Sequence, residues 1–567
     1  MKSHLWKLLC AVVILTMFVP ALAGCATPAP PPAATEPPPT EAPPAPTATP
    51  VPPEPTPTTG PTVGGTMLRA FTSEPATLDY HKIAQNEASW IQLYLNATLV
   101  ALSPDGEFVP WLADSWEIAD DGMSVDFKLR EDVTFHDGTP LTADDYAWTL
   151  QRAIDPETAS PGAGTMLGDV ESAEAVDEHT LRLNLKGPSG VLFFNLAVAH
   201  CWTGPIPKAA FEEMGEGEFG RHPIGTGPFM FKEWVAGEKV VLERNPDYNW
   251  GPSFVQGGPP YIEQLEFRFL PEYSTIVAAL EAGEIDVAEI EAKDVQRILD
   301  TGIFGLWETQ FQGAGVFVAM NTSISPFDDI NARKAFNMAV DKDVLVEAAM
   351  GGAAVALDGP ITPGTGGYWA GVEEIGYEYD LDAAKDLMEQ AGWVDTDGDG
   401  IREKDGESLS LTMNLSSNFE DRVRTAQILQ EQYRDLGVDI ELEPLENTLN
   451  LQKVWPGDYE IAVMQMAYPE FDLMRFIFSS AMIGMLNMSI WSDPELDELL
   501  TLTKTTMDPE ERQEYANQVQ GYLVENAVIV PLYGRKILNA WNNRFTMPLT
   551  HPIMQEYFNV DDSYLVE

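Results

Sequence analysis

The sequence predicts an α/β protein of two or more lobes, and three observations carry that prediction. About 500 residues follow position 62, more than one hydrophobic core organises. Strand-like alternation recurs, as in Thr180-Leu-Arg-Leu-Asn-Leu185 and Leu265-Glu-Phe-Arg-Phe-Leu270. Between such runs lie amphipathic stretches at helical spacing: 274 to 282, 332 to 349, 382 to 391, 421 to 436 and 509 to 525. No repeat of about 20 to 50 residues is present, which excludes a solenoid.

In chain order, the first residues read as processing signals. Lys2 and Lys7 flank a short basic region, and Leu8 to Val19 is an apolar run too short to span a bilayer comfortably. Leu22-Ala-Gly-Cys25 follows, with the spacing of a bacterial lipobox, so residues 1–25 are read as a lipoprotein signal peptide and Cys25 as the lipidated residue. Several acyl chains on one cysteine give a stable anchor where a single chain is marginal. Residues 26–62 are nearly all Pro, Ala, Thr and Glu. Such a segment cannot bury enough surface to fold and favours extended polyproline II, so it reads as a disordered tether reaching up to about 100 Å.

The densest pattern lies between Trp111 and Ile154. Val125, Phe127 and Leu129 alternate with polar residues, and Asp121-Gly122 turns back towards Trp116-Glu-Ile118, which predicts a hairpin. Asp137-Gly138 marks a second turn. Thr142, three residues before Asp145, is a helix N-cap, and Tyr146, Leu150 and Ile154 share one helical face.

Composition excludes several functions. With 88 acidic and 33 basic residues the formal charge is −55, and a nucleic-acid backbone is repelled. Contact with anionic lipid is restricted to the anchor, and the acidity reads as a solvated surface. Of three cysteines only Cys201 is left after processing, so there is no disulfide framework and no Cys/His metal spacing. Gly215-Glu-Gly-Glu-Phe-Gly220 matches a dinucleotide string, but no strand precedes it and its glutamates repel a pyrophosphate. No P-loop, nucleophile elbow or H-E-x-x-H occurs. A glycosidase-like carboxylate pair is the one catalytic pattern that so acidic a chain leaves open.

The most metal-like string is Asp395-Thr-Asp397-Gly-Asp399-Gly400, with carboxylates at positions one, three and five of a calcium loop. Its twelfth position is Gly406 instead of a bidentate glutamate, and Asp405 or Glu407 would substitute only with altered geometry. The alternative reading is a polar turn. Trp202, Trp250, Trp369, Trp393, Trp455 and Trp491 are candidates for ligand stacking or for core packing.

Taken together, the 111–154 stretch, the turn Pro223-Ile-Gly-Thr-Gly-Pro-Phe229, the Arg244 to Tyr248 element, Asn321-Thr322 before Pro326-Phe-Asp-Asp329, Ala339 to Asp343, Asp493 to Asp497 and Val530-Pro-Leu-Tyr533 resemble the family 5 extracellular solute-binding proteins. The resemblance spans nearly the whole chain after the tether. It implies a two-lobe, periplasmic-binding-protein-like (type II) α/β fold with an extra subdomain on the first lobe. The expected division is 63–106 first part of lobe I, 107–228 the extra subdomain, 229–315 the second part of lobe I, 316–528 lobe II, and 529–567 the return to lobe I.

The function so implied is a monomeric, lipid-anchored, non-enzymatic receptor that passes a small solute, peptides foremost, to an ABC permease and ATPase. Oligosaccharide or metal-chelate binding is the alternative within the family, and a secreted hydrolase the alternative outside it. No cofactor is expected beyond the calcium in question. The resemblance places Asn321 and Trp202, the latter beside His200 and Cys201, near the interlobe cleft. Peptide receptors of the family often carry an Asp that pairs with the peptide's ammonium; here Ala467 takes that place in Met466-Ala-Tyr-Pro-Glu-Phe-Asp472. Tyr468 is therefore expected as a ligand contact, with Glu470 or Asp472 as the anion for a cationic ligand end. The alternative is that both carboxylates cap the helix beginning near Leu473.

Overall fold

A computed structural model describes residues 61–566 except 84, 105, 198–201, 547–548 and 551–557. The signal peptide, Cys25, nearly all of the tether, His200 and Cys201 therefore lie outside the described residues. Among the described residues no helix is long and apolar enough to cross a membrane.

The first lobe is built on a mixed sheet. Its first strand, Thr66–Phe71, runs parallel to Gln264–Phe269 on one side and to Val287–Glu289 on the other. Outward of Gln264–Phe269 come Lys239–Arg244 and Phe229–Val235, both antiparallel. The alternation expected from the sequence holds, since Leu265, Phe267 and Phe269 are buried against Phe71 and Tyr94.

The second lobe centres on Gly313–Met320, whose eight residues are all buried, as expected of a strand covered on both faces. It lies between Ile461–Ala467 and the first half of Ile529–Asn542. Ser410–Ser416 and Asp439–Leu445 extend this half as a parallel pair. Helices Ile330–Met338, Lys342–Met350 and Glu420–Leu436 cover one face. Pro494–Thr505 and Pro509–Glu525 cover the other. The single helix expected over 332–349 is two helices, because the Asp341 side chain accepts the Val344 N–H and starts a new one.

The last long strand, Ile529–Asn542, belongs to both lobes. Val530 and Tyr533 pair with the central strand of lobe II, whereas Lys536 to Asn542 pair with Phe304–Gln310 and Ala540–Trp541 with Val287–Ala288. The return to lobe I expected at 529 thus begins about six residues later, within the strand. Gly313, beside this crossing, has φ +122, and a Cβ there would run into the backbone of Met466 and Tyr468.

The subdomain is the antiparallel sheet Ala113–Ile118, Ser124–Leu129, Thr180–Leu185, Val170–Asp177, in that order. The expected hairpin is present, with Trp116 opposite Phe127 and Gly122 at φ +68 in its turn. Helix Ala143–Ile154 opens on a reciprocal capping box between Thr142 and Asp145 and buries Tyr146 and Leu150. The turn Pro223 to Phe229 joins this unit to lobe I. Its glycines are there for space: the Gly227 N–H donates to the Leu95 carbonyl at 2.8 Å, and a Cβ at Gly225 would run into that same oxygen.

Two histidines fasten the junction in neutral form. His136 accepts the Gly225 N–H at Nδ1 and donates from Nε2 to the Gly227 carbonyl at 3.1 Å. His81 donates from Nε2 to the Trp202 carbonyl, while its Nδ1 accepts from Arg152 at 2.8 Å. Burial lowers both pKa values, to about 4 for His136 and, with Arg152 adding to it, about 3 for His81. Each is below the unfolded value, so the unfolded chain takes up the proton first. The stability these groups contribute is complete above about pH 6.5 and lost as the pH falls towards the folded values. Acidification from pH 7 to pH 5 should cost about 2 kcal/mol per histidine in denaturant unfolding. In His136→Gln that pH-dependent loss should shrink by a similar amount.

Candidate functional site

The two lobes face each other across a cleft of about 940 Å³. On lobe I it is lined by Arg69 and Phe71 at the end of the first strand, by Trp90, and by Tyr273. On lobe II it is lined by Phe419, Asp421 and Arg424 at the start of helix Glu420–Leu436. The floor comes from Arg535 and Lys536, the two residues of the shared strand that are not buried. The position follows from the topology. Thr66–Phe71, Val287–Glu289 and Ser410–Ser416 each pair in parallel with a neighbour, and their carboxyl ends open onto the cleft, where open α/β sheets bind ligands.

The cleft is amphoteric. Five basic and five acidic side chains line it, in a chain whose formal charge is −55. Most are already engaged. The Arg69 guanidinium lies 4.9 Å from the ring centroids of both Phe71 and Trp90. Arg535 reaches Glu289 across the lobes at 3.5 Å, Lys293 pairs with Glu291 at 2.6 Å, and Arg424 donates to the Ala349 carbonyl. Asp421 is the exception: among the described residues its carboxylate has no hydrogen-bond or salt-bridge partner.

None of the five ligand contacts expected from the sequence lines this cleft. Trp202 is buried in the subdomain core, its ring against Gly162. Asn321 is buried and donates to the Gly457 and Tyr459 carbonyls, tying off a strand end. The Tyr468 hydroxyl points at the Met166 sulfur, 3.3 Å away in the subdomain.

The two carboxylates need correction. Glu470 is 2 % exposed and pairs with Arg512, while its second oxygen accepts the Asp472 N–H at 2.6 Å. Burial pushes its carboxyl pKa up against the pull of Arg512. Asp472 holds Arg475 through both oxygens, at 2.8 and 2.6 Å. It stands at the N-cap of Leu473–Phe478, yet its side chain makes no cap bond. Both anions are therefore neutralised inside lobe II, and neither is available to a cationic ligand end.

The acidic loop does gather its carboxylates. Asp395, Asp397 and Asp399 lie with Glu403 so that one oxygen of each falls within 4.8 Å of the others. Glu403, not Asp405 or Glu407, completes the group, because Asp405 and Gly406 have positive φ in the hairpin turn that follows. Most of the group is exposed and it is not part of the cleft.

Two lobes sharing a strand, with a cleft at the carboxyl ends of their parallel strands, define a binding protein of the two-lobe type. The chain belongs to the bacterial extracellular solute-binding proteins, family 5, whose middle region matches residues 107–480. It is 26% identical over 522 residues to the oligopeptide-binding protein AppA of Bacillus subtilis (strain 168), covering 89% of this chain and 93% of that protein. The structure of AppA with a nonapeptide superposes with a TM-score of 0.67 at 26% identity, covering 90% of this chain and 100% of the other. NikA from Brucella suis in complex with Fe(III)-EDTA superposes with a TM-score of 0.77 at 25% identity, covering 88% and 100%.

Sequence reasoning missed the residues of the cleft, which are scattered from Arg69 to Lys536. The usable signal was topological: the loops after parallel strands, Ser417 to Asp421 among them.

The internal pairing has a direct test. Glu470→Gln should leave ligand affinity within about twofold of wild type. Arg512→Leu should lower unfolding stability by about 3–5 kcal/mol in denaturant melts, because it strands a buried carboxylate.

Proposed function

We propose that this chain is the lipid-anchored receptor of an ABC importer, capturing peptides in the interlobe cleft and delivering them, chemically unchanged, to the permease. The observation that carries the peptide reading is the amphoteric cleft with Asp421 unpaired on one wall. A zwitterionic ligand supplies an ammonium for that carboxylate and a carboxylate for the basic side chains, and burying either charge without a partner is costly. The similarity to AppA supports the same ligand class. The cleft volume is at the upper end of small-molecule sites, enough for a short peptide. Metal chelates are the second ligand class, favoured by the likeness to NikA.

Asp421→Asn should weaken binding of peptides with a free amino terminus by about 2 kcal/mol or more, roughly 30-fold by calorimetry, and leave N-acetylated peptides nearly unaffected. Equal loss for both forms rules out Asp421 as the ammonium partner. Wild-type protein that binds a neutral oligosaccharide or a chelate tightly, and no peptide, overturns the ligand class.

Attachment rests on the sequence around Cys25. Cys25→Ser should move the protein from the membrane fraction to the soluble one with ligand affinity unchanged; retention after a salt wash would refute lipidation there.

Calcium at Asp395, Asp397, Asp399 and Glu403 is supported by the convergence of the four carboxylates. Calcium should raise the melting temperature by a few degrees, chelator should reverse it, and Asp397→Asn should abolish the response. A melting temperature indifferent to calcium removes the ion from the account.

A further inference from the structure

The loop read from sequence as a ligand contact faces the subdomain, and there the two lobes touch at several points. The Gly190 N–H donates to the Lys504 carbonyl at 2.7 Å. The Lys504 ammonium pairs with Asp169 at 2.8 Å, and the other Asp169 oxygen accepts from the Ser189 hydroxyl. Met507, at the elbow between helices Pro494–Thr505 and Pro509–Glu525, packs against the subdomain core beside Gly122. Tyr468 meets Met166 close by.

We propose that this contact is a closure latch: Gly190, Asp169 and the Gly122 turn on the subdomain engage the 504–507 elbow of lobe II when the lobes close, and release it when they open. It rests on the receptor reading of two lobes that close, and is independent of which ligand closes them.

Three features support a releasable contact over a permanent seam. The subdomain is joined by backbone hydrogen bonds to lobe I, through Gly225 and Gly227 on one side and Trp111 to Ala113 against Thr98 and Leu99 on the other. Rotation of lobe II about the shared strand therefore changes the gap at Gly190. The ion pair is partly exposed, 31% at Lys504 and 24% at Asp169, so its attraction is modest and screened by salt. Lastly, the lobe II side has bonds of its own: the Glu470–Arg512 and Asp472–Arg475 pairs hold the loop and the elbow within lobe II. Faces that meet through an ion pair, a backbone bond, Met507 and the Tyr468–Met166 contact make a surface that docks and leaves intact.

Gly190 provides a clean test. Its φ is not in the positive region, yet a Cβ there would run into the Thr506 carbonyl oxygen and lie 2.9 Å from Arg512 Cδ. Gly190→Ala thus props the contact open without altering charge, and Lys504→Met removes the ion pair without adding bulk. Both variants are compared with wild type, all free of ligand, by hydrogen exchange and small-angle scattering. Segments 186–192 and 502–508 should exchange about tenfold faster in each variant, with a larger radius of gyration and with strands 124–129 and 180–185 as protected as before. Raising salt from about 0.05 to 0.5 M should move wild type in the same direction and leave Lys504→Met unmoved. Unchanged exchange and scattering in both variants overturns the latch. So does faster exchange that spreads through the subdomain sheet, which would make the contact part of that fold. Because no ligand is present, the result is separable from failure of the peptide reading.

Discussion

The whole architecture depends on one strand serving two sheets. Ile529–Asn542 is buried at twelve of its fourteen positions and pairs with lobe II at one end and lobe I at the other. A strand cannot leave one sheet without breaking its ladder, so the lobes are held at a fixed spacing and left free mainly to rotate. The two positions exempt from burial, Arg535 and Lys536, are the floor of the cleft. A ligand seated on that floor would touch the one element that both lobes share.

Charge distribution is the second constraint. An excess of 55 negative charges repels itself across the surface. Five basic side chains stand at the cleft, opposite five carboxylates. The cleft is therefore near-neutral in a strongly acidic chain. Arg69 illustrates the method: its guanidinium rests over two aromatic rings, which hold it in place at the cleft wall.

Local structure was legible in the sequence wherever a single stretch carried its own cause. The hairpin at Asp121-Gly122, the Thr142 cap and the alternation of Leu265, Phe267 and Phe269 each follow from neighbours a few residues away. The helix pair around Asp341 was misread because Ala339 and Val340 continue the apolar period across a break that only the cap reveals. The site was not legible for the opposite reason. Its walls come from segments hundreds of residues apart, and an Arg at position 69 or an Asp at position 421 looks like any exposed charge until the topology brings their strand ends together. Glu470 and Asp472 failed in the converse sense. Glu470 looked available because its partner, Arg512, is 42 residues away and no spacing assigns it, whereas Arg475 stands one helix turn beyond Asp472, where spacing alone offers the pair.

The fate of those two carboxylates also explains why a costly buried charge is kept so close to a moving surface. Desolvation favours the protonated form of Glu470, and only Arg512 and the Asp472 amide hold against it. An apolar substitute of similar volume would remove that cost, but it would remove direction as well. A guanidinium clamped to one carboxylate and to the Thr503 carbonyl has a single position relative to its helix, and Thr503 adjoins Lys504. The ion pair therefore fixes where the 504–507 elbow stands, and a surface that must meet the subdomain repeatedly needs its position specified more than it needs a further increment of stability.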